Sequence, residues 1–181
     1  MGSEGSVMDM AQHAARTARL QGSFAEANER LLARLRDASD EAAERPAAGG
    51  WSAAQIGWHV AAVTARFAGM ISGELPAAVP VAENFREREW TEVVASIPER
   101  LEAPAPTVPP ASVRRADAMS ALEAAGERMG LALDALTPER GGRMGITHPI
   151  VGAISVYQIG DWATAHVIRH NRQAKRVLGQ G

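Results

Sequence analysis

The sequence predicts an all-α fold. The chain is rich in Ala, Arg, Leu and Glu, and all four favour helix. Aromatic residues make up only 4% of the chain, and β-branched runs are short. Four segments carry apolar residues at spacings of three and four, the period of a helix with one buried face.

The first helix is expected from about Asp9 to Asp40, with Leu20, Phe24, Ala27, Leu31 and Leu35 as its stripe. Arg45-Pro46-Ala47-Ala48-Gly49-Gly50 breaks it. The second helix begins at Ser52, an N-cap whose capping-box partner is Gln55, and Trp51 stands at the staple position before it. Ile56, Val60, Val63, Phe67 and Met70 form its stripe, and His59 lies on that stripe. From Ser72 to Ala111 the pattern fails. Seven prolines, from Pro76 to Pro110, mark a long connection with room for a short helix around Phe85 to Ile97, anchored by Phe85 and Trp90. It is read either as the crossover that some four-helix bundles need or as a lid over a site. The third helix runs from near Ser112 to near Leu136, and Thr137-Pro138 and Gly141-Gly142 end it. The fourth is expected after His148-Pro149, with Pro149 in its first turn, and stops at Gly179. Ile159, Trp162, His166, His170, Gln173 and Val177 share one of its faces.

With 181 residues, the chain suits one domain over 9–179 behind a flexible segment over 1–8. Nineteen basic against 21 acidic residues give a formal charge of −2. That argues against a nucleic-acid or membrane surface driven by charge. There is no run of 18 apolar residues, so no membrane span is expected. The first ten residues lack the basic and apolar regions of a signal peptide, so a cytoplasmic setting is expected. Cysteine is absent. Thiolate nucleophiles and cysteine-ligated zinc are thereby excluded, and any thiol chemistry needs a thiol carried by another molecule.

The chemistry lies in His59, His166 and His170. His166 and His170 are four residues apart, so on a helix both imidazoles leave one face, one turn apart. A third imidazole from a neighbouring helix gives three nitrogen ligands and an open position, the pattern of a catalytic metal site. The alternative is three inward histidines, each satisfied by its own hydrogen bonds. The pair is not the H-E-x-x-H motif, because Val167 stands where that motif has its general base. Zinc, nickel and ferrous iron all suit imidazole, so ligand type does not choose the metal. Asp161 is a candidate acceptor for an imidazole N–H, with a solvated or capping role as the commoner reading. Gln173 either orients water or substrate or bonds a neighbouring helix. Trp58 and Trp162 read first as packing residues, Arg169 as a surface guanidinium, His13 as solvent-exposed and His148 as a turn residue. No phosphate-binding loop, dinucleotide fingerprint or nucleophile elbow occurs.

Two stretches resemble a known family. Trp51-Ser52-Ala53-Ala54-Gln55-Ile56-Gly57-Trp58-His59 resembles the W-S-x-x-x-[IL]-x-x-H signature of the DinB-like superfamily. His148-Pro149-Ile150-Val151-Gly152, continuing through Ser155 to His166, His170 and Gln173, resembles that family's last helix. The resemblance implies a DinB-like four-helix bundle of up-up-down-down type, often dimeric, with a long connection between helices 2 and 3. It implies one divalent metal on His59, His166 and His170. It also implies a metal-dependent transferase or isomerase that uses a low-molecular-weight thiol and a small electrophilic substrate. A metal-dependent hydrolase, or a non-catalytic bundle that binds metal or a small ligand, is the alternative. The catalytic residues are left unassigned.

Overall fold

The computed structural model describes residues 10–98 and 101–179. The segment expected to be flexible, 1–8, lies outside them. Four long helices carry the fold: α1 (Met10–Asp37), α3 (Ala53–Ser72), α5 (Arg115–Asp134) and α7 (Val156–Val177). Three short helices, α2 (Asp40–Glu44), α4 (Trp90–Ala95) and α6 (Pro138–Arg143), lie between them. A small antiparallel sheet has the order β1 (Val79–Pro80), β2 (Met144–His148), β3 (Gly152–Ser155). Among the described residues no helix is long and apolar enough to cross a membrane.

Helix starts and stops follow local chemistry. Ser52 caps α3: its Oγ accepts the Gln55 N–H at 3.1 Å, and Gln55 Oε1 accepts the Ser52 N–H at 2.8 Å. The other end of α3 closes at Gly73, whose φ of 94° is left-handed and favours glycine. The buried faces meet in one connected core that includes Leu20, Leu31, Leu35, Ile56, Leu122, Met129, Ile159 and Val167.

Pairings fix the helix directions. Gly57 packs on Ala118 and Leu122, and Gly69 lies beside Arg128, so α3 and α5 run parallel. Gly160 packs on Leu20, and Arg34 bonds Asn171, so α1 and α7 also run parallel. Gln21 bonds Asp134 while Arg115 reaches the Leu35 carbonyl, so α1 opposes α5. Phe67 meets Trp162 while His59 meets His170, so α3 opposes α7. The order is therefore up-down-down-up, not the up-up-down-down order that the resemblance implied. Parallel α3 and α5 need a connection as long as the bundle, and residues 73–114 supply it. Its short helix is α4, narrower than the expected span from Phe85 to Ile97.

Three further boundaries differ from expectation. Helix α1 stops at Asp37, because Ser39 accepts the Ala42 N–H and starts α2. Thr137-Pro138 does not merely end α5; Thr137 caps α6, with Pro138 in its first turn. His148-Pro149 does not open the last helix. Ile146 pairs with Ile154, and Thr147 with Ala153, so these residues form a β2–β3 hairpin with Pro149 in its loop. The helix starts at a second capping box, in which Ser155 Oγ accepts the Gln158 N–H and Gln158 Oε1 accepts the Ser155 N–H.

A polar cluster lies between α1, the connection and the start of α7. His13, expected to be exposed, is buried, and its Nδ1 is hydrogen-bonded to the Tyr157 hydroxyl at 2.6 Å. Arg16 lies 4.5 Å over the Tyr157 ring and pairs with Glu87 at 2.6 Å. Glu87 also accepts the Ser155 hydroxyl. Asp161 is held by Arg19 at 2.9 Å and by Arg16 at 3.7 Å. It is neither solvated nor a partner of an imidazole.

Close packing makes one glycine testable. A Cβ on buried Gly141 would run into the Tyr157 ring, whereas a Cβ on Gly130 would meet nothing within 4 Å. Gly141→Ala is expected to lower stability by about 1–3 kcal/mol. Gly130→Ala, inside α5, should raise it by roughly 0.5–1 kcal/mol. Denaturant melts check both, and equal effects would refute the packing argument.

Candidate metal centre

The stripe that buries α3 carries His59 inward, and the facing stripe of α7 carries His166 and His170 one turn apart. Because α3 opposes α7, the three rings converge in the seam between them. One ring nitrogen of each lies within 4.8 Å of the other two. The ring centroids are 5.1 Å apart for His59 and His166, 4.8 Å for His59 and His170, and 4.4 Å for His166 and His170.

Two tautomers are set by the surroundings. His59 Nδ1–H donates to the Thr107 carbonyl at 2.7 Å, which leaves its Nε2 lone pair facing inward. His170 Nδ1–H donates to Gln173 Oε1 at 2.8 Å, with the same result. Gln173 thus orients a ring on its own helix and bonds no neighbouring helix there. His166 Nε2 stands 3.2 Å from His59 Nε2, while its Nδ1 is buried without a hydrogen-bond partner. Hydrogen bonding therefore satisfies His59 at both nitrogens and His166 and His170 at one each, and the buried His166 Nδ1 is left unpaired at a cost of about 1–3 kcal/mol.

The separation of the His59 and His166 nitrogens fits a shared ion, with the third ligand nitrogen within 4.8 Å of both. Nitrogens about 2.0–2.1 Å from one tetrahedral ion stand roughly 3.3–3.4 Å apart. The His59 and His166 nitrogens are already at that separation. The rings are also poised to stay neutral, as ligation requires. Burial lowers the His59 pKa, against the raising effect of the Thr107 hydrogen bond. Burial, then His170, His59 and Arg169, hold His166 well below its ordinary value. Burial and His59 push His170 down to about 4.

Aromatic rings wall the centre. Trp51 lies 4.9 Å from His59, and Phe67 meets His166 edge-on at 6.4 Å. Phe67 in turn contacts Trp162 at 5.8 Å. Trp58, read as a packing residue, is partly buried against the core. Arg169 is not in the triad; its guanidinium donates to the Pro98 carbonyl at 3.0 Å. His148 has the turn role expected of it, since its Nδ1 accepts the Ile150 N–H at 3.2 Å. Sequence reasoning missed Thr107, a buried residue in the proline-rich connection with no periodic pattern around it.

A family model described as the DinB superfamily matches residues 23–174. The chain belongs to the DinB superfamily. Among solved structures, this DinB superfamily member is similar to YfiT from Bacillus subtilis, described as a probable metal-dependent hydrolase with an unusual four-helix bundle topology. The match has 19% identity and a TM-score of 0.51, and it covers 100% of this chain and 95% of YfiT. At that identity it shows the shared four-helix bundle fold. No curated protein matches the chain.

Acid should act on this centre directly. His170 titrates at about 4 in the folded chain and near 6.5 when unfolded. Between those values the unfolded state binds more protons, so stability falls as pH falls. Metal-free protein is expected to melt progressively lower as pH drops from about 6.5 toward about 4. His170→Gln should flatten that slope. An unchanged slope in the variant would contradict the assignment of a depressed pKa.

Proposed function

We propose that this protein is a divalent-metal-dependent enzyme acting on a small electrophile, with His59, His166 and His170 as the metal ligands. The observation that carries this reading is the convergence of three imidazoles whose ring nitrogens lie within 4.8 Å of one another. Zinc, nickel or ferrous iron would suit the donors. Held by His59, His166 and His170, such an ion would keep its charge and open positions and would lower the pKa of a bound water or thiol.

The chain's own residues supply orientation and shelter. Thr107 and Gln173 fix the His59 and His170 rings, Trp51 packs on His59, and Phe67 packs on His166. Among the described residues no carboxylate is hydrogen-bonded to any of the three rings. That favours a nucleophile that ionises without a strong base. A thiol, with an ordinary pKa of about 8.5, meets that need better than water. The chain has no cysteine, so the thiol would be a low-molecular-weight cosubstrate and the reaction an S-transfer or isomerisation. Water in the same position gives hydrolysis, the activity named for YfiT. A homodimer in the cytoplasm belongs to the same reading, and light scattering on purified protein tests the dimer.

Protein loaded with zinc, nickel or ferrous iron should be compared with chelated protein. Each is incubated with an electrophilic aryl halide and with an activated ester, with and without 2-mercaptoethanol. Thiol-dependent consumption that chelator abolishes is expected. Consumption without thiol would move the assignment to hydrolase. Metal binding with no turnover would overturn the catalytic reading and leave a metal- or small-ligand-binding bundle.

A further inference from the structure

His148 lies outside the triad, yet a line of rings connects the two. His166 meets Phe67, Phe67 meets Trp162, and His148 packs edge-on against Trp162 at 4.9 Å and 84°. Trp162 precedes His166 by four residues, so along α7 it lies one turn, about 6 Å, from the triad. Phe67 and Trp162 are only partly buried. The seam thus presents an accessible aromatic strip with the imidazole triad at one end and a lone imidazole at the other.

The His148 ring has a defined polarity. Its Nδ1 lone pair is occupied by the Ile150 N–H, so in the neutral ring the proton is on Nε2. Among the described residues no acceptor reaches that Nε2. The β2–β3 hairpin holds the ring there, since His148 pairs with Gly152 at the last rung of the ladder. A solvent-accessible donor without a protein acceptor, beside an accessible aromatic strip, is suited to a ligand oxygen.

We propose that His148 is a specificity-determining residue of the metal centre. Its Nε2–H would receive an acidic or carbonyl oxygen at the far end of a planar substrate lying across Phe67 and Trp162. The substrate class is then an aromatic or conjugated small molecule. Its oxygen acceptor lies across the planar group from the atom that meets the metal. The proposal rests on the metal-centre reading above.

Three metal-binding probes test it on zinc-loaded protein: acetohydroxamate, benzohydroxamate and 4-carboxybenzohydroxamate. Binding is read by calorimetry rather than turnover. The phenyl ring should tighten binding about tenfold over the acetyl probe through contact with the aromatic strip. The 4-carboxylate should add about another tenfold through a charge-assisted hydrogen bond. His148→Ala should erase the carboxylate increment, keep the phenyl increment and leave zinc affinity unchanged. Phe67→Ala should reduce the phenyl increment. His148→Gln, which keeps an N–H donor, should restore part of the carboxylate increment. An equal carboxylate increment in wild type and His148→Ala would overturn the proposal and leave the metal centre standing. A protein that binds no zinc would remove the centre itself, and the proposal with it.

Discussion

His166→Ala is expected to abolish the stabilisation that divalent metal gives the wild-type protein. An ion that binds only the folded state at a hundred times its dissociation constant adds about 2.7 kcal/mol. For a chain of this size that is a rise of roughly 5–10 °C in melting temperature. Removing His166 leaves two ligands, from different helices, and the shift should fall close to zero. In the absence of metal the same substitution removes one hydrogen bond, to His59 Nε2, together with a buried Nδ1 that lacks a partner. The gain from deleting a buried unsatisfied nitrogen partly offsets the loss of packing. Melts of wild type and variant, each with chelator and with zinc or nickel, separate metal-linked from metal-independent effects. Equal metal-induced shifts in the two proteins would remove His166 from the ligand set.

The residues that made the centre legible in sequence are those with a local signal. His166 and His170 advertise themselves by their spacing, and His59 by its place on an apolar stripe behind a capping box. What could not be read is what holds those rings. Thr107 acts through a backbone carbonyl, and its position is set by the fold of a proline-rich connection with no periodicity. The start of the last helix was misplaced for a different reason. Pro149 is compatible with a first helical turn, and that reading outweighed a stronger signal six residues later. Ser155-Val156-Tyr157-Gln158 is a capping box of the same form as Ser52 to Gln55. The β-branched residues Ile146, Thr147 and Ile154 mark the hairpin that precedes it.

His13 and Asp161 differ from expectation because their partners are distant in sequence. The α1 stripe was read from Leu20 onward, yet seven residues earlier the same face carries His13, where it meets Tyr157 of α7. Asp161 is read as solvated only if Arg16 and Arg19 are ignored, and nothing local places them across from it. The parallel packing of α1 on α7 brings these groups together. This cluster, rather than the metal centre, is where polar burial bears most on folding.

Arg16→Ala is the substitution that tests this. Arg16 is mostly buried, with side-chain exposure of 19%, and serves Glu87, Asp161 and the Tyr157 ring at once. Its removal leaves Glu87, 27% exposed, with only the Ser155 hydroxyl, and leaves Asp161, 8% exposed, to Arg19 alone. Breaking a largely buried pair by deleting one member costs about 3–5 kcal/mol, because the remaining charge stays desolvated. Glu87 and Asp161 keep partial partners, so the lower end, about 3 kcal/mol, is expected. Pairing Arg16→Ala with Glu87→Gln should recover part of the loss, since the double variant no longer strands the Glu87 carboxylate. Asp161 points toward α1 while His166 points toward α3, so the cluster and the metal centre occupy different faces of α7. Zinc affinity of Arg16→Ala, measured well below its melting temperature, should therefore match wild type. A variant that folds as stably as wild type would show the pairs to be solvated and energetically idle. A variant that loses zinc affinity while still folded would show the two faces of α7 to be coupled, contrary to the separation argued from its geometry.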